Sequence, residues 1–158
     1  MAKRAAAFGM KIIGYDPLIP GETIAQNGAE PVTLDELFAM ADMITMHIPL
    51  TSSTRGMLNA EAFEKMKKGV YIVCAARGGV IDEEALLAAL ESGKVAGAAL
   101  DVFAAEPPGP TALVNHPKVI DTPHVGAQTV EAQARAAEDI ATEVLAALDQ
   151  KPLRWKVA

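Results

Sequence analysis

GVYIVCAARGGVIDEEALLAALESGKVAGAALDVF (69–103) decides the fold. GVYIVCA (69–75) is a short, near-continuous apolar run and reads as a buried strand. Asp82 is a good N-cap, and the helix it opens runs through Leu90 and stops at Gly93. VAGAALDVF (95–103) reads as a second strand, whose small residues let helices approach closely. Buried strand, helix and buried strand in succession place the two strands parallel in one sheet.

The alternation continues in both directions. MKIIGYD (10–16) reads as a strand ending in a turn at Pro17, DMITMHI (42–48) as a buried strand closed by Pro49, and KVIDT (118–122) as one more. TLDELFAMA (33–41) is a helix in which Thr33 and Glu36 have capping-box spacing and Leu34, Leu37 and Phe38 share a face. NAEAFEKMKKG (59–69) is a short helix with Asn59 as cap and Gly69 as stop. A long helix runs from Thr129 to about Leu148, and its stripe of Val130, Ala134, Ala137, Ile140, Val144 and Leu148 is assigned to core packing. The chain has no internal repeat, and its Pro-rich stretches (17–22 and 104–117) are loops within one domain. The expected fold is therefore α/β, a three-layer parallel sheet covered by helices, with residues 1–158 as a single domain.

Composition narrows the function. Hydrophobic residues make up 51% of the 158 and aromatics 4%, so the core is aliphatic. Fourteen basic against 20 acidic residues give a net charge of −6, with no Lys/Arg run to follow a nucleic-acid backbone. A single cysteine, Cys74, excludes a disulfide framework within the chain and suits the cytoplasm. No signal peptide is read at the N-terminus, and no apolar stretch reaches the roughly 18 residues of a membrane span. No Cys/His cluster has metal-ligand spacing. Cys74, inside an apolar strand, reads as a core residue. His47, at a strand end just before Pro49, could line a crevice there but reads as a partly buried polar residue, and His116, beside Pro117, reads as a loop residue.

Three ionisable residues follow strands in short motifs: Arg77 in AARGG (75–79), Glu106 in LDVFAAEPP (100–108) and His124 in TPHVGA (122–127). Arginine suits a carboxylate because its planar fork donates two parallel hydrogen bonds. Histidine exchanges a proton near neutral pH, and a carboxylate on its other ring nitrogen fixes its tautomer and favours the imidazolium. Each also has an ordinary reading: a surface arginine opening a loop, a solvated glutamate before proline, a satisfied loop histidine. Asp16, in YDP, fits two roles, a turn former or an acceptor for ribose hydroxyls.

FGMKIIGYDP, MHIPLT, LNAEAFEKMKKGVYIVCAARGGVIDEEAL, GAALDVFAAEPP and HPKVIDTPHVGAQTVEAQ, in that order over nearly the whole chain, resemble the D-2-hydroxyacid dehydrogenase family. The resemblance implies an oxidoreductase using NAD on a small 2-hydroxy or 2-keto acid. It implies that Arg77 binds the substrate carboxylate and carbonyl oxygen. His124 would be the general acid in reduction and the base in oxidation, and Glu106 would orient and charge its imidazole. For the cofactor it implies Asp16 on the adenosine ribose, Ile48 beside the cofactor, and Ala75, Ala76 and Arg77 around the nicotinamide. Asp101 would bond the carboxamide, and His124, Val125, Gly126 and Ala127 would close the site. The charge of Asp16 favours NAD over NADP.

The departures from the family pattern are as informative. No two glycines are separated by one residue, so G-x-G-x-x-G is absent. The family's first cofactor-domain strand, its glycine loop and its substrate domain are not recognised. MAKRAAAFG looks like the tail of the helix after that loop, and KPLRWKVA (151–158) like entry into the substrate domain. The expectation is a C-terminal part of an NAD-binding domain with weak or no NAD affinity and no turnover alone. Removing the first strand from the dinucleotide-binding (Rossmann) order 3-2-1-4-5-6 leaves two options. The gap can close, giving the flavodoxin-like order 2-1-3-4-5 with 10–15 between 43–47 and 70–74. Otherwise a strand-exchanged dimer fills it. The rival functional readings are an NAD(H)-sensing, corepressor-like binding module and a polypeptide made only to fold, without function.

Overall fold

The structure, a computed structural model, describes residues 1–155. The chain divides into a first unit, Met1–Thr122, and a second that begins at Pro123. In the first unit, α1 (Ala2–Ala7) precedes β1 (Ile13–Gly14), α2 (Gly21–Gln26), β2 (Glu30–Pro31), α3 (Leu34–Met40) and β3 (Met43–Met46). Then come α4 (Ala60–Lys65), β4 (Val70–Cys74), α5 (Glu83–Glu91), β5 (Val95–Leu100) and β6 (Val119–Asp121). The second unit holds α6 (Val130–Leu148). Of KPLRWKVA, residues 156–158 lie outside the described residues.

Helices α3, α4, α5 and α6 begin at side-chain caps. Thr33 and Glu36 form a full capping box, with Glu36 Oε2 accepting the Thr33 N–H at 2.8 Å and Thr33 Oγ1 accepting the Glu36 N–H at 3.3 Å. These bonds hold the Glu36 carboxyl below its ordinary value. The cap is thus intact above the ordinary carboxylate range and is lost as the pH falls through the lowered value. Asn59, Asp82 and Thr129 accept from the first-turn N–H groups of α4, α5 and α6 in the same way.

All four strands of the main sheet are parallel, in the order β3-β4-β5-β6. Register alternates the two faces. Ile44, Ile72 and Ala98 align on one face, as do Met46, Cys74 and Leu100, and all six are buried. They pack in one core with Phe63 and Met66 near α4 and Leu86 and Leu90 of α5. On the other face Met43, Tyr71 and Ile120 are exposed, so the expected burial on both faces holds on one only.

The closed order 2-1-3-4-5 is not what forms. β1 pairs in parallel with β2, Ile13 opposite Glu30 and Gly14 opposite Pro31, in a separate two-stranded sheet. Residues 10–15 therefore pair with neither 43–47 nor 70–74. α2 returns the backbone directly beside β1, which brings β2 onto one of its edges. The Glu30 N–H donates to the Ile12 carbonyl at 2.9 Å and the Val32 N–H to that of Gly14 at 3.0 Å. Within the described residues β1 and β3 each keep one unpaired edge.

The stripe on α6 also corrects the expectation. Val130, Ile140, Val144 and Leu148 are exposed and α6 has no buried residue.

Candidate active site

One row of residues crosses the main sheet: Met46 is opposite Cys74, Cys74 opposite Leu100, and Leu100 opposite Asp121. Whatever follows these residues emerges at the carboxyl edge of four parallel strands, where ligands of such sheets bind. From β3 comes Ile48, from β4 Ala75, Ala76 and Arg77, and from β5 Asp101. The structure thus brings these sequence-derived candidates to one edge. Cys74 itself is a buried core residue, 2% exposed, as its sequence setting implies. Burial pushes its thiol pKa up, against a smaller opposing effect of the Ala76 and Arg77 N–H groups. His47 is exposed and not partly buried as expected, and it shares a 3.2 Å hydrogen bond with Thr45 Oγ1. His116 Nδ1 accepts the Lys118 N–H at 3.2 Å, a local loop contact.

Arg77 is the first residue beyond the apolar run to reach solvent with a charge. Its Nη1 donates to the Ala76 carbonyl at 2.6 Å, folding the side chain over the turn. The turn is rigid. The Gly56 N–H donates to the Gly79 carbonyl at 2.9 Å and the Leu58 N–H to that of Val80 at 3.2 Å. Gly78 is where a side chain has no room: a Cβ there would lie 1.8 Å from the Phe103 carbonyl oxygen. The turn after β4 and the loop after β5 therefore touch backbone to backbone.

That second loop carries Asp101 and Glu106. Asp101, 9% exposed, accepts from Thr122 Oγ1 at 2.6 Å, and its N–H donates to the Cys74 carbonyl at 2.9 Å. Glu106 Oε1 accepts the Phe103 N–H at 3.2 Å. The next amide, Ala104 N–H, donates to Glu83 Oε1 at 2.6 Å. Gly78 and Glu83 are absent from the sequence-derived candidates. Gly78 is visible in the sequence only as half of a glycine pair, and nothing there pairs Glu83 with position 104.

His124, Val125, Gly126 and Ala127 belong to the second unit. His124 has φ +54, a left-handed backbone that non-glycine residues rarely adopt. The turn is held by the Gln128 N–H on the Val125 carbonyl at 2.9 Å and by Gln133 Nε2 on that of Ala127 at 2.9 Å. All of His124–Ala127 is exposed.

Asp16 lies on the two-stranded sheet's carboxyl side. Its Oδ1 accepts the Leu18 N–H at 2.8 Å, so it is a turn former. It also lines an open depression of about 680 Å³ with Tyr15, Val32, Thr33 and Glu36. Val32 and Thr33 are site-lining residues that sequence reasoning missed, because β2, only two residues long, has no apolar run to announce it. A carboxylate beside such a hollow fits a ribose. The sequence carries no G-x-G-x-x-G, the pattern that presents N–H groups to a pyrophosphate. Among the described residues no group of His, Cys, Asp and Glu is placed to hold a metal, and no helix is long and apolar enough to cross a membrane.

Residues 1–126 match the family model of the D-isomer specific 2-hydroxyacid dehydrogenase, NAD binding domain. The chain belongs to this family. The D-3-phosphoglycerate dehydrogenase of Rattus norvegicus is 51% identical over 153 residues, 97% of this chain and 29% of the relative. That of Bacillus subtilis (strain 168) is 52% identical over 145 residues, 92% of this chain and 28% of the relative. Among solved structures, a glyoxylate reductase from Paecilomyes thermophila matches with TM-score 0.89 at 39% identity, over 99% of this chain and 47% of that one. A D-lactate dehydrogenase from Aquifex aeolicus complexed with NAD and lactic acid matches with TM-score 0.85 at 34% identity, over 94% and 49%. This 2-hydroxyacid dehydrogenase domain thus spans about 29% of the length of the curated relatives it matches.

Proposed function

We propose that the chain is the C-terminal part of the NAD-binding domain of a cytoplasmic D-3-phosphoglycerate dehydrogenase, and that it carries the catalytic set Arg77, Glu106 and His124. The observation that carries this reading is the common emergence of Arg77 and the Asp101–Glu106 loop at the carboxyl edge of adjacent parallel strands. The 51% identity to a D-3-phosphoglycerate dehydrogenase supports the substrate class, a phosphorylated 2-hydroxy or 2-keto acid. NAD, when bound, supplies the redox chemistry. Asp16 would hold its ribose, Ile48, Ala75 and Ala76 would flank it, Asp101 would engage its carboxamide, and Val125, Gly126 and Ala127 would border it.

The chain's own residues then divide the work. Arg77 unfolds from the Ala76 carbonyl to clamp the substrate carboxylate through two donors, which also aligns the carbonyl oxygen. His124 gives a proton to that oxygen during reduction of a 2-keto acid, and removes it from the hydroxyl in the reverse direction. Glu106 holds the imidazole in one tautomer and favours its charged form. Without donors for the pyrophosphate, the 158-residue chain alone binds NAD weakly and does not turn over.

A chimera tests this reading: the chain replaces its matching segment in the Bacillus subtilis relative, 52% identical over 145 residues. The expected result is NADH oxidation with a phosphorylated 2-keto acid. A folded chimera that binds NADH by fluorescence titration but never oxidises it favours an NAD(H)-sensing module instead.

A further inference from the structure

We propose that Glu83 is a positioning residue for Glu106. This rests on the role given to Glu106 above. Two consecutive amides in the loop after β5 each meet a carboxylate. Phe103 N–H goes to Glu106 Oε1 at 3.2 Å, and Ala104 N–H to Glu83 Oε1 at 2.6 Å. Glu83 is far in sequence from that loop but fixed in space, being the first residue of α5, whose start is capped by Asp82 on the Glu84 and Ala85 amides. The Phe103–Ala104 peptide also lies against Gly78, whose backbone leaves no room beside the Phe103 carbonyl and the Ala104 nitrogen. Residues 103 and 104 thus meet both a close backbone contact and a carboxylate tether.

The tether also settles a competition. Ala104 N–H and Phe103 N–H are neighbouring donors within reach of the same loop, and a carboxylate of Glu106 has two acceptor oxygens. With Glu83 on the Ala104 amide, Glu106 Oε1 accepts the Phe103 N–H. Without Glu83, Ala104 N–H is left for water or for Glu106, whose carboxylate then shifts away from the position it must hold to orient an imidazole. The alternative role of Glu83 is a favourable charge at a helix N-terminus. Reach and charge can be separated: Glu83→Gln keeps the reach and an acceptor oxygen but no charge, whereas Glu83→Asp keeps the charge and is one methylene shorter.

The test is NMR on the 158-residue chain, following the Phe103 and Ala104 amides and the Glu106 side-chain carboxyl carbon. In Glu83→Gln all three resonances stay near their original positions. In Glu83→Asp and Glu83→Ala the Ala104 amide loses its downfield, exchange-protected signal, and the Phe103 amide and Glu106 carboxyl move with it. Should Glu83→Ala fail to fold, Glu83→Asp, which keeps the helix-start charge, decides alone. Unmoved Phe103 and Glu106 signals in Glu83→Asp overturn the proposal. So does the reverse pattern, Asp like the original and Gln like Ala. Failure of the underlying reading shows elsewhere: Glu106→Gln that leaves turnover of the chimera unchanged removes the role of Glu106, whatever the Glu83 variants show by NMR.

Discussion

His124→Ala in the chimera lowers kcat by roughly 10²–10⁴-fold while the KM for the 2-keto acid changes little. The size follows from the kind of help removed. A positioned proton donor acts on the oxygen only as charge develops there, so its loss appears in kcat and not in ground-state binding. His124→Asn is the informative partner, since it keeps a polar side chain that tolerates the left-handed backbone at φ +54 but cannot exchange a proton. Steady-state kinetics of the two variants should coincide. A fall in activity that Asn largely recovers would assign the residue to turn geometry and away from proton transfer.

Gly78→Ala has the largest structural effect expected of a single added methyl. The new carbon would lie 1.8 Å from the Phe103 carbonyl oxygen, and both surfaces are backbone. The turn cannot yield easily, because the Gly79 and Val80 carbonyls are already bonded to residues 56 and 58. Overpacking at such a site costs about 3 kcal/mol. It should be visible as a lowered midpoint in chemical denaturation of the 158-residue chain. Gly79→Ala is the control. Its φ of +81 strains any side chain, but the nearest atoms are 3.4 Å or more away, so it costs about 1–2 kcal/mol. A Gly78→Ala chain as stable as Gly79→Ala would contradict the close contact between the two loops.

Much of the fold can be read from residues alone, for reasons that are local. The capping pairs at Thr33 and Glu36, at Asn59, Asp82 and Thr129, begin helices where the structure begins them. The apolar runs at 43–46, 70–74 and 95–100 are strands because nothing else so short buries so much. What escapes is non-local. Glu30–Pro31 has no apolar pattern, so the sequence does not announce β2, and with it goes the pairing of β1. α2 follows Pro20 without a side-chain cap and buries no residue, leaving little periodicity to detect. The stripe of α6 is legible as amphipathic, but periodicity does not say what covers it.

The candidate site divides the same way. Arg77, Asp101 and Glu106 are charged residues placed where apolar runs end, which is a sequence signal for the carboxyl edge of a parallel sheet. Gly78 and Glu83 act through contacts with residues 103 and 104, and only the folded chain discloses them.

The most direct test of the account is the 158-residue chain itself, assayed for NADH oxidation with an excess of a phosphorylated 2-keto acid. No turnover is expected, because the chain carries the proposed proton-transfer and carboxylate-binding groups without a glycine loop for the pyrophosphate. Turnover that disappears in His124→Ala would contradict it.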